Sequence, residues 1–489
     1  YPHRTNWELY FTDDYKITPR LSLSYGLRYS MLDPGQIEQD LIANFLPSAN
    51  ALVVPNEAAK SRIHPGFPKN VPIVTASSIG LGEKLQIRDW NNFAPRFGFA
   101  WRPTPSDTFV VRGGFGVYNV AMQPYISDGG GAPYELRETF TNSITGGTPA
   151  FSFPAPFPTT QYVLGGTGAS GMNAAMRTPY STQYNLTLEK EVWDMGLSFT
   201  YMSTMFRKGA WRRDLNQVPA NTRPYADKLK EVPFPYLFSV SFIENGGAHN
   251  YHGGTIKAER KLTGGLYYQA HLTMAKSVGD DWTGGTSTAE DAFNRTRERG
   301  QGAQIPRWRG VVVGIYELPF GKGKKFASGA PGALNHIVAN WMIAGTYVYR
   351  TGIYFTPTFS GTDPGNTNIR SGRADRLADG NLGGSASLYQ WFDTAAFVTP
   401  ANGIGRFGSA GAYVIEGPSM SVFHFGATKQ IPIHERARLK LEMVSTNFLN
   451  HPNFGLPAST AGTSTYGRIL STISTDGHRD FQLTARFIF

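Results

Sequence analysis

An alternation of oily and wet side chains, with a period of two, recurs along this chain and limits what it can become. Residues 481–489 show it plainly. Phe481, Leu483, Ala485, Phe487 and Phe489 share one parity, and Gln482, Thr484 and Arg486 take the other. Side chains of a β-strand point alternately to opposite faces, so this segment has one apolar and one polar side. The same rhythm sets Leu21, Leu23, Tyr25, Leu27 and Tyr29 against Arg20, Ser22, Ser24, Gly26 and Arg28. It sets Phe93, Pro95, Phe97, Phe99 and Trp101 against Asn92, Arg96 and Arg102, and Leu439, Leu441 and Met443 against Arg438, Lys440 and Glu442. About thirteen strands follow from these patterns, including pairs at 255–261 with 266–274 and at 419–431 with 436–448. Asp13 interrupts the apolar row of Trp7, Leu9, Phe11, Tyr15 and Ile17 close to the turn at Thr18-Pro19.

Connection lengths separate two ways of using such strands. Tight turns at Thr18-Pro19, Trp193-Asp194, Thr263-Gly264 and Pro432 to Glu435 alternate with long Pro- and Gly-rich stretches such as 31–90 and 119–180. Long irregular loops are uncommon in compact soluble domains. Transmembrane barrels pair short periplasmic turns with long extracellular loops. Composition agrees: apolar residues are 40% and aromatics 13%, as a wet interior and aromatic belts would give. The apolar run Val311-Val312-Val313-Gly314-Ile315 is far too short for a membrane helix, so any crossing is made by strands. The expected fold is all-β, an antiparallel transmembrane β-barrel with long extracellular loops, spanning residues 1–489 as one barrel domain in the bacterial outer membrane.

The net charge of +10 is dispersed, with one short basic run at Lys322-Gly323-Lys324-Lys325, and implies no nucleic-acid partner. No stretch has the spacing of a phosphate loop, a nucleophile elbow, a zinc-binding His pair or an EF-hand. The chain is therefore expected to be no enzyme and to need no cofactor. Gly405-Arg406-Phe407-Gly408 lacks a strand-then-helix context and reads as loop. His424, His434, His451 and His478 are scattered rather than paired at metal spacing. Asp363, Asn366 and Asn368 are calcium candidates in a loop, and turn formation explains them equally. Asp280-Asp281-Trp282 is expected at an outer loop tip. Arg28, Arg96, Arg112, Lys257, Glu259, Arg438, Lys440, Glu442 and Arg486 are expected to face the barrel interior, where they either pair with a plug or line a substrate path.

Several segments resemble TonB-dependent outer-membrane receptors of the Oar-like type. They are residues 14–21, 92–101, 111–116, 316–323, 391–397 and 448–455, in order along nearly the whole chain. The resemblance implies a barrel of about 22 strands closed by an N-terminal plug. It also implies a TonB-contacting box before the plug, and this chain, starting at Tyr1, contains neither. The chain is thus expected to be the C-terminal part of a longer barrel. The family also implies that the assembly machinery reads a terminal strand like this one, with Phe481, Leu483, Phe487 and Phe489 as its signal. Implied partners are the lipid bilayer with its lipopolysaccharide, the TonB complex and an unknown transported ligand. The function implied is energised uptake of a bulky ligand caught by extracellular loops. Alternatives are a non-energised porin or a surface adhesin or secretion-associated barrel, and a secreted soluble glycan-binding β protein.

Overall fold

The alternating segments join by hydrogen bonds into one antiparallel sheet. A computed structural model describes residues 2–37, 40–106, 108–121, 133–135, 144–145, 148–149, 168–280, 287–434 and 437–489. Thirteen strands pair in chain order: β1 (Trp7–Thr18), β2 (Leu21–Met31), β3 (Phe93–Trp101), β4 (Phe109–Asn119), β5 (Tyr180–Val192), β6 (Met195–Asp214) and β7 (Val240–Thr263). The order continues with β8 (Leu266–Gly279), β9 (Trp308–Glu317), β10 (Trp341–Arg350), β11 (Met420–His434), β12 (Ala437–Thr446) and β13 (Asp480–Ile488). Two short additions, Ala169–Met172 beside β7 and Gly300–Gln301 beside β8, bring the sheet to 15 strands.

Cross-strand register turns the sequence alternation into two continuous faces. Leu23 stands opposite Tyr15 and Phe99, Phe115 opposite Phe97 and Tyr184, and Ile256 opposite Phe199 and Leu272. On the other side Ala100 faces Arg112, Ser198 faces Lys257, and Lys440 faces Gln430 and Arg486. A slip of one residue would exchange the faces. The register shifts of the main sheet are at Lys16/Thr18, Phe206/Gly209/Ala210, Arg260/Thr263 and Pro432/His434. All but the second adjoin tight turns.

Those turns sit at one end, at Pro19-Arg20, Trp193-Asp194 and Gly264-Gly265. Gly264 and Gly265 have φ of 60° and 83°, the left-handed pair that a two-residue hairpin turn requires. The β11–β12 turn and Glu435 lie outside the described residues. The opposite end carries the long connections 32–92, 120–179, 215–239, 280–307, 351–419 and 447–479.

The apolar face has no covering layer. Ile256 is 61% and Leu483 78% exposed, and the three buried apolar clusters draw on loops and the outer ends of β6 and β7. A soluble sandwich would bury this face against a second sheet. Among the described residues no helix is long and apolar enough to cross a membrane.

Three expectations need correction. β6 and β7 run far past the segments read from sequence, because beyond Ser203 and His252 the strands no longer keep an oily row. The long connections are not merely irregular, since 32–92 folds its own three-stranded sheet at 44–46, 51–54 and 73–75. Asn44, fully buried, ties it to the Met172 backbone through Nδ2–H to oxygen (2.9 Å) and N–H to Oδ1 (2.7 Å). Finally, Asp13 is accommodated by a partner as well as by position: the Tyr25 hydroxyl donates to its carboxylate at 2.7 Å on the same face.

If the apolar face meets acyl chains, Ile256→Arg should destabilise the folded protein by about 2–4 kcal/mol, the midplane penalty for a lipid-facing cation. Urea unfolding in phospholipid vesicles would measure it. A change within about 0.5 kcal/mol, normal for a water-exposed site, would remove this face from the bilayer.

Candidate functional site

All nine charged residues expected in an interior share the polar face by register. Several are neutralised within the sheet. Arg28 pairs with Glu8, Arg112 with Glu189 at 3.2 Å, Lys257 with Glu259 at 2.6 Å and Lys440 with Glu442 at 2.6 Å. Half-exposed pairs of this kind contribute at most about 1 kcal/mol, so they set local potential more than stability. The Arg96 guanidinium lies 4.7 Å over the Tyr118 ring. Among the described residues Arg438 and Arg486 have no carboxylate partner. Sequence reading missed Arg309 and Arg350, which stand directly opposite each other on this same face. Like charges so placed destabilise a strand pair, and Arg350 turns one Nη1 donor to the Thr351 carbonyl at 3.3 Å. Only the β9–β10 register could reveal them, since each closes an end of an apolar run.

At the long-loop end, residues of the connections 215–239, 287–307 and 351–419 line a cavity of about 640 Å³ with Asp280 and the outer part of β6. Arg373, nearly buried, spans its wall. Its Nε donates to Glu290 at 2.8 Å, its Nη2 to Glu298 at 3.0 Å, and its Nη1 to the Arg297 carbonyl. Arg297 returns a bond to Glu290 at 3.1 Å and another to the Gly408 carbonyl at 2.8 Å. Removing one member of such a network strands a charge, and buried pairs broken that way cost about 3–5 kcal/mol. These ions therefore fix two loops against each other. Trp211 borders the cavity with a buried indole N–H that has no hydrogen-bond partner.

Asp280 does not occupy a loop tip. It follows β8 directly, its side chain is buried, and it pairs with Arg295 at 3.1 Å while accepting the Ala248 N–H at 2.7 Å. Asp281 and Trp282 lie outside the described residues. Asp363 uses its two carboxylate oxygens on the N–H groups of Thr367 (2.9 Å) and Asn368 (2.6 Å), while Asn366 donates to the Asn221 carbonyl at 3.1 Å. Asn366 and Asn368 have φ of 50° and 64°, which asparagine tolerates better than most residues. This geometry is that of a turn. Among the described residues no three His, Asp or Glu side chains converge as metal ligands. His424 approaches Asp476 (3.8 Å) and His478 approaches Asp480 (3.2 Å). The loop at 405–408 forms as expected, and its Arg406 grips Asp375 through Nη1 at 2.5 Å and Nη2 at 3.0 Å.

Two motif segments are loop architecture. Phe392, Ala396 and Phe397 are a buried cluster, with Asp393 capping the short 3-10 turn Thr394–Ala396 at 3.0 Å. Asn447 and Asn453, both buried, bind the Asp476 carbonyl at 3.3 and 2.9 Å and so clamp the β12–β13 connection.

Residues 1–482 match the family model described as outer membrane beta barrel domain. The chain belongs to that family. It is a bacterial outer-membrane β-barrel chain, in keeping with its bare apolar face. Among curated proteins none matches the sequence. Solved structures it is similar to include the outer membrane transporter YddB from Escherichia coli (10% identity, TM-score 0.48, 99% of this chain and 45% of that one). Others are the FrpB iron transporter from Neisseria meningitidis (11%, 0.46, 100% and 45%) and the siderophore receptor PiuA from Acinetobacter baumannii (11%, 0.42, 99% and 43%). The chain spans less than half the length of each.

The loops of this barrel chain depend on ionised carboxylates. Burial disfavours charge on Asp33, Asp89 and Asp375, yet each is held below the usual carboxylate range by its partners. Lys84 and Arg88 do this for Asp33, the Thr178 N–H and Arg177 for Asp89, and Arg406 with the Ser409 N–H for Asp375. A depressed folded-state pKa contributes stability above the unfolded value, about 3.9, which is lost as pH falls through the folded value. Loop protection from proteolysis should therefore be full at pH 6 and weaken progressively below about pH 4, towards the depressed folded-state values, with the strands still assembled. Loops equally protected at pH 3 would contradict it.

Proposed function

We propose that this chain forms the wall of an energised outer-membrane transporter of the TonB-dependent kind. The reading rests on one observation: a continuous polar face runs from the tight turns to a cavity built by the long loops. A ligand caught in that cavity passes along the polar face, meeting Arg309 and Arg350 on its way. Energy from the inner membrane arrives through TonB by way of a segment outside this chain, and a plug closes the interior between cycles. The order of family-like segments along the chain supports the same reading.

The full gene product in a planar bilayer should then show a closed baseline, with conductance appearing only when the plug-encoding region is deleted. A steady open pore in the full product would mark a passive porin and overturn the energised reading.

The terminal strand carries a second role in this proposal. Phe481, Leu483 and Phe487 stand on the apolar face opposite Ser445, Met443 and Leu439, and the Phe489 ring lies 6.0 Å from that of Phe487. This row is the assembly signal. Deleting Phe489 should lower the yield of heat-modifiable, assembled barrel in outer membranes. An unchanged yield would place the signal elsewhere.

A further inference from the structure

At the tight-turn end one connection is not short. β1 to β2, β5 to β6 and β7 to β8 reverse over two residues, whereas the whole stretch 318–340 joins β9 to β10. Within it Gly332–Val338 forms a short helix, and Asn335 accepts the Lys322 N–H at 2.7 Å, tying the helix to the preceding bend. Gly321, at a φ of 108°, lies so close to Ala339 that a Cβ there would collide with the alanine methyl. The connection is a folded unit, not a slack loop.

Its place on the wall follows from the groups that satisfy the last helical carbonyls. A helix leaves its C-terminal C=O groups without partners, and a cation is favoured beside them. The Lys429 ammonium donates to the Ile337 carbonyl at 3.1 Å and to the Ala339 carbonyl, and the Trp341 indole N–H donates to Ile337 at 2.8 Å. By register Lys429 stands opposite Trp341 and Leu441, in one row with Phe423, Phe425 and Ala427, which is the apolar face. Lys429 is buried there, its ammonium 5.4 Å from the Trp341 ring centroid. The helix end is thus pinned to the lipid-facing side of β10 and β11, at their tight-turn rim.

What this unit presents outwards is oily and basic. Asn335 and Val338 are half-buried, while Leu334 and Ile337, three residues apart on one helix face, are exposed, Ile337 to 68%. Phe320 and Phe326 are exposed too, with ring centroids 5.5 Å apart and the Lys325 ammonium 5.4 Å from the Phe326 ring. Lys322, Lys324 and Lys325 are exposed, and residues 318–340 contain no Asp or Glu. Lys324 lines a hollow with Glu317, Met342 and Gln430 of the polar face, which leaves Lys322 and Lys325 to the outer side.

We propose that the connection 318–340 is an interfacial arm that inserts into the periplasmic leaflet beside the strands. Phe320, Phe326, Leu334 and Ile337 enter the boundary between headgroups and acyl chains, the usual depth of an amphipathic element lying in a membrane. Lys322 and Lys325 reach the phosphates of anionic phospholipid there. Two observations select this occupant over a second copy of the chain. The arm continues the apolar face that meets lipid, and its unbalanced positive charge would repel its own copy. The inference depends on the position of the strands in the bilayer and is indifferent to whether transport is energised or passive.

The chain has no cysteine, so a spin label can be placed at one position of the full gene product, any cysteine outside residues 1–489 being replaced by serine. Ile337→Cys, labelled and assembled in vesicles of phosphatidylcholine and phosphatidylglycerol, should be relaxed strongly by oxygen and weakly by a water-soluble nickel complex, as a label in lipid is. Leu377→Cys, exposed on a long loop, should show the reverse. Native mass spectrometry of the delipidated protein should show a preference for phosphatidylglycerol over phosphatidylcholine. Lys322→Gln with Lys325→Gln should lower that preference about tenfold, a difference of about 1.4 kcal/mol, and Lys60→Gln on a long loop should leave it unchanged. A nickel-accessible label at position 337 would overturn the proposal. So would a label shielded from both reagents, which would mean that protein covers the arm, or a lipid preference that the two Gln substitutions do not alter. The substituted side chains of the arm are exposed, so these variants keep the packing of the wall.

Discussion

A strand crossing a bilayer must satisfy every backbone N–H and C=O with another strand, because the surroundings offer nothing to replace water. The rest of this molecule depends on that requirement. Thirteen strands bonded in chain order give each inner strand a partner on both edges, and the bonds also lock the register. Locked register, in turn, is what lets an alternation in sequence become two faces with separate duties. The oily face interacts with lipid through any side chain of suitable polarity. The wet face is free to carry Arg, Lys and Glu in numbers that a soluble β-sandwich core would not accept.

Outside the bilayer the rules change, and so do the means of holding shape. The long connections cannot rely on lipid to enforce their arrangement, so they use specific partners. Asn44 replaces a missing strand neighbour by meeting the Met172 backbone with both donor and acceptor. Arg373 joins two loops by serving Glu290 and Glu298 together, and Asp375 holds Arg406 and the Ser409 N–H. Each of these contacts depends on ionised or fully paired groups, whereas the sheet depends on hydrogen bonds and apolar contact with lipid. The two parts therefore respond to different perturbations.

This division also explains what was legible beforehand. Leu21 to Tyr29 alternate without error, and every strand with such a row was found, along with the face of Arg96, Lys257 and Arg486. Sequence reading lost β6 and β7 beyond Ser203 and His252, where lipid no longer demands an oily row. It misplaced Asp280, whose buried carboxylate pairs with Arg295, a residue well separated from it along the chain. It could not see Arg309 opposite Arg350, because that depends on the register between strands. Periodicity reports which face a residue takes. It does not report who stands opposite.

The segments that carry the family resemblance fall partly in the same places. Trp391 to Phe397 builds a loop core in which Phe392 is fully buried, and Phe448 to Gly455 contains the buried Asn453 of the β12–β13 clamp. In a lipid-facing row, Leu, Ile, Val or Phe can exchange with little consequence, since acyl chains conform to any of them. A buried Asn that bonds two carbonyls, or an Asp that caps a 3-10 turn, has few substitutes. Identifiable motifs thus arise where protein must pack against protein, and a barrel wall leaves only its rhythm. The motif of residues 14–21 fits this account as well: it contains Pro19 and Arg20, the turn where β1 reverses into β2 beside the register shift at Lys16/Thr18.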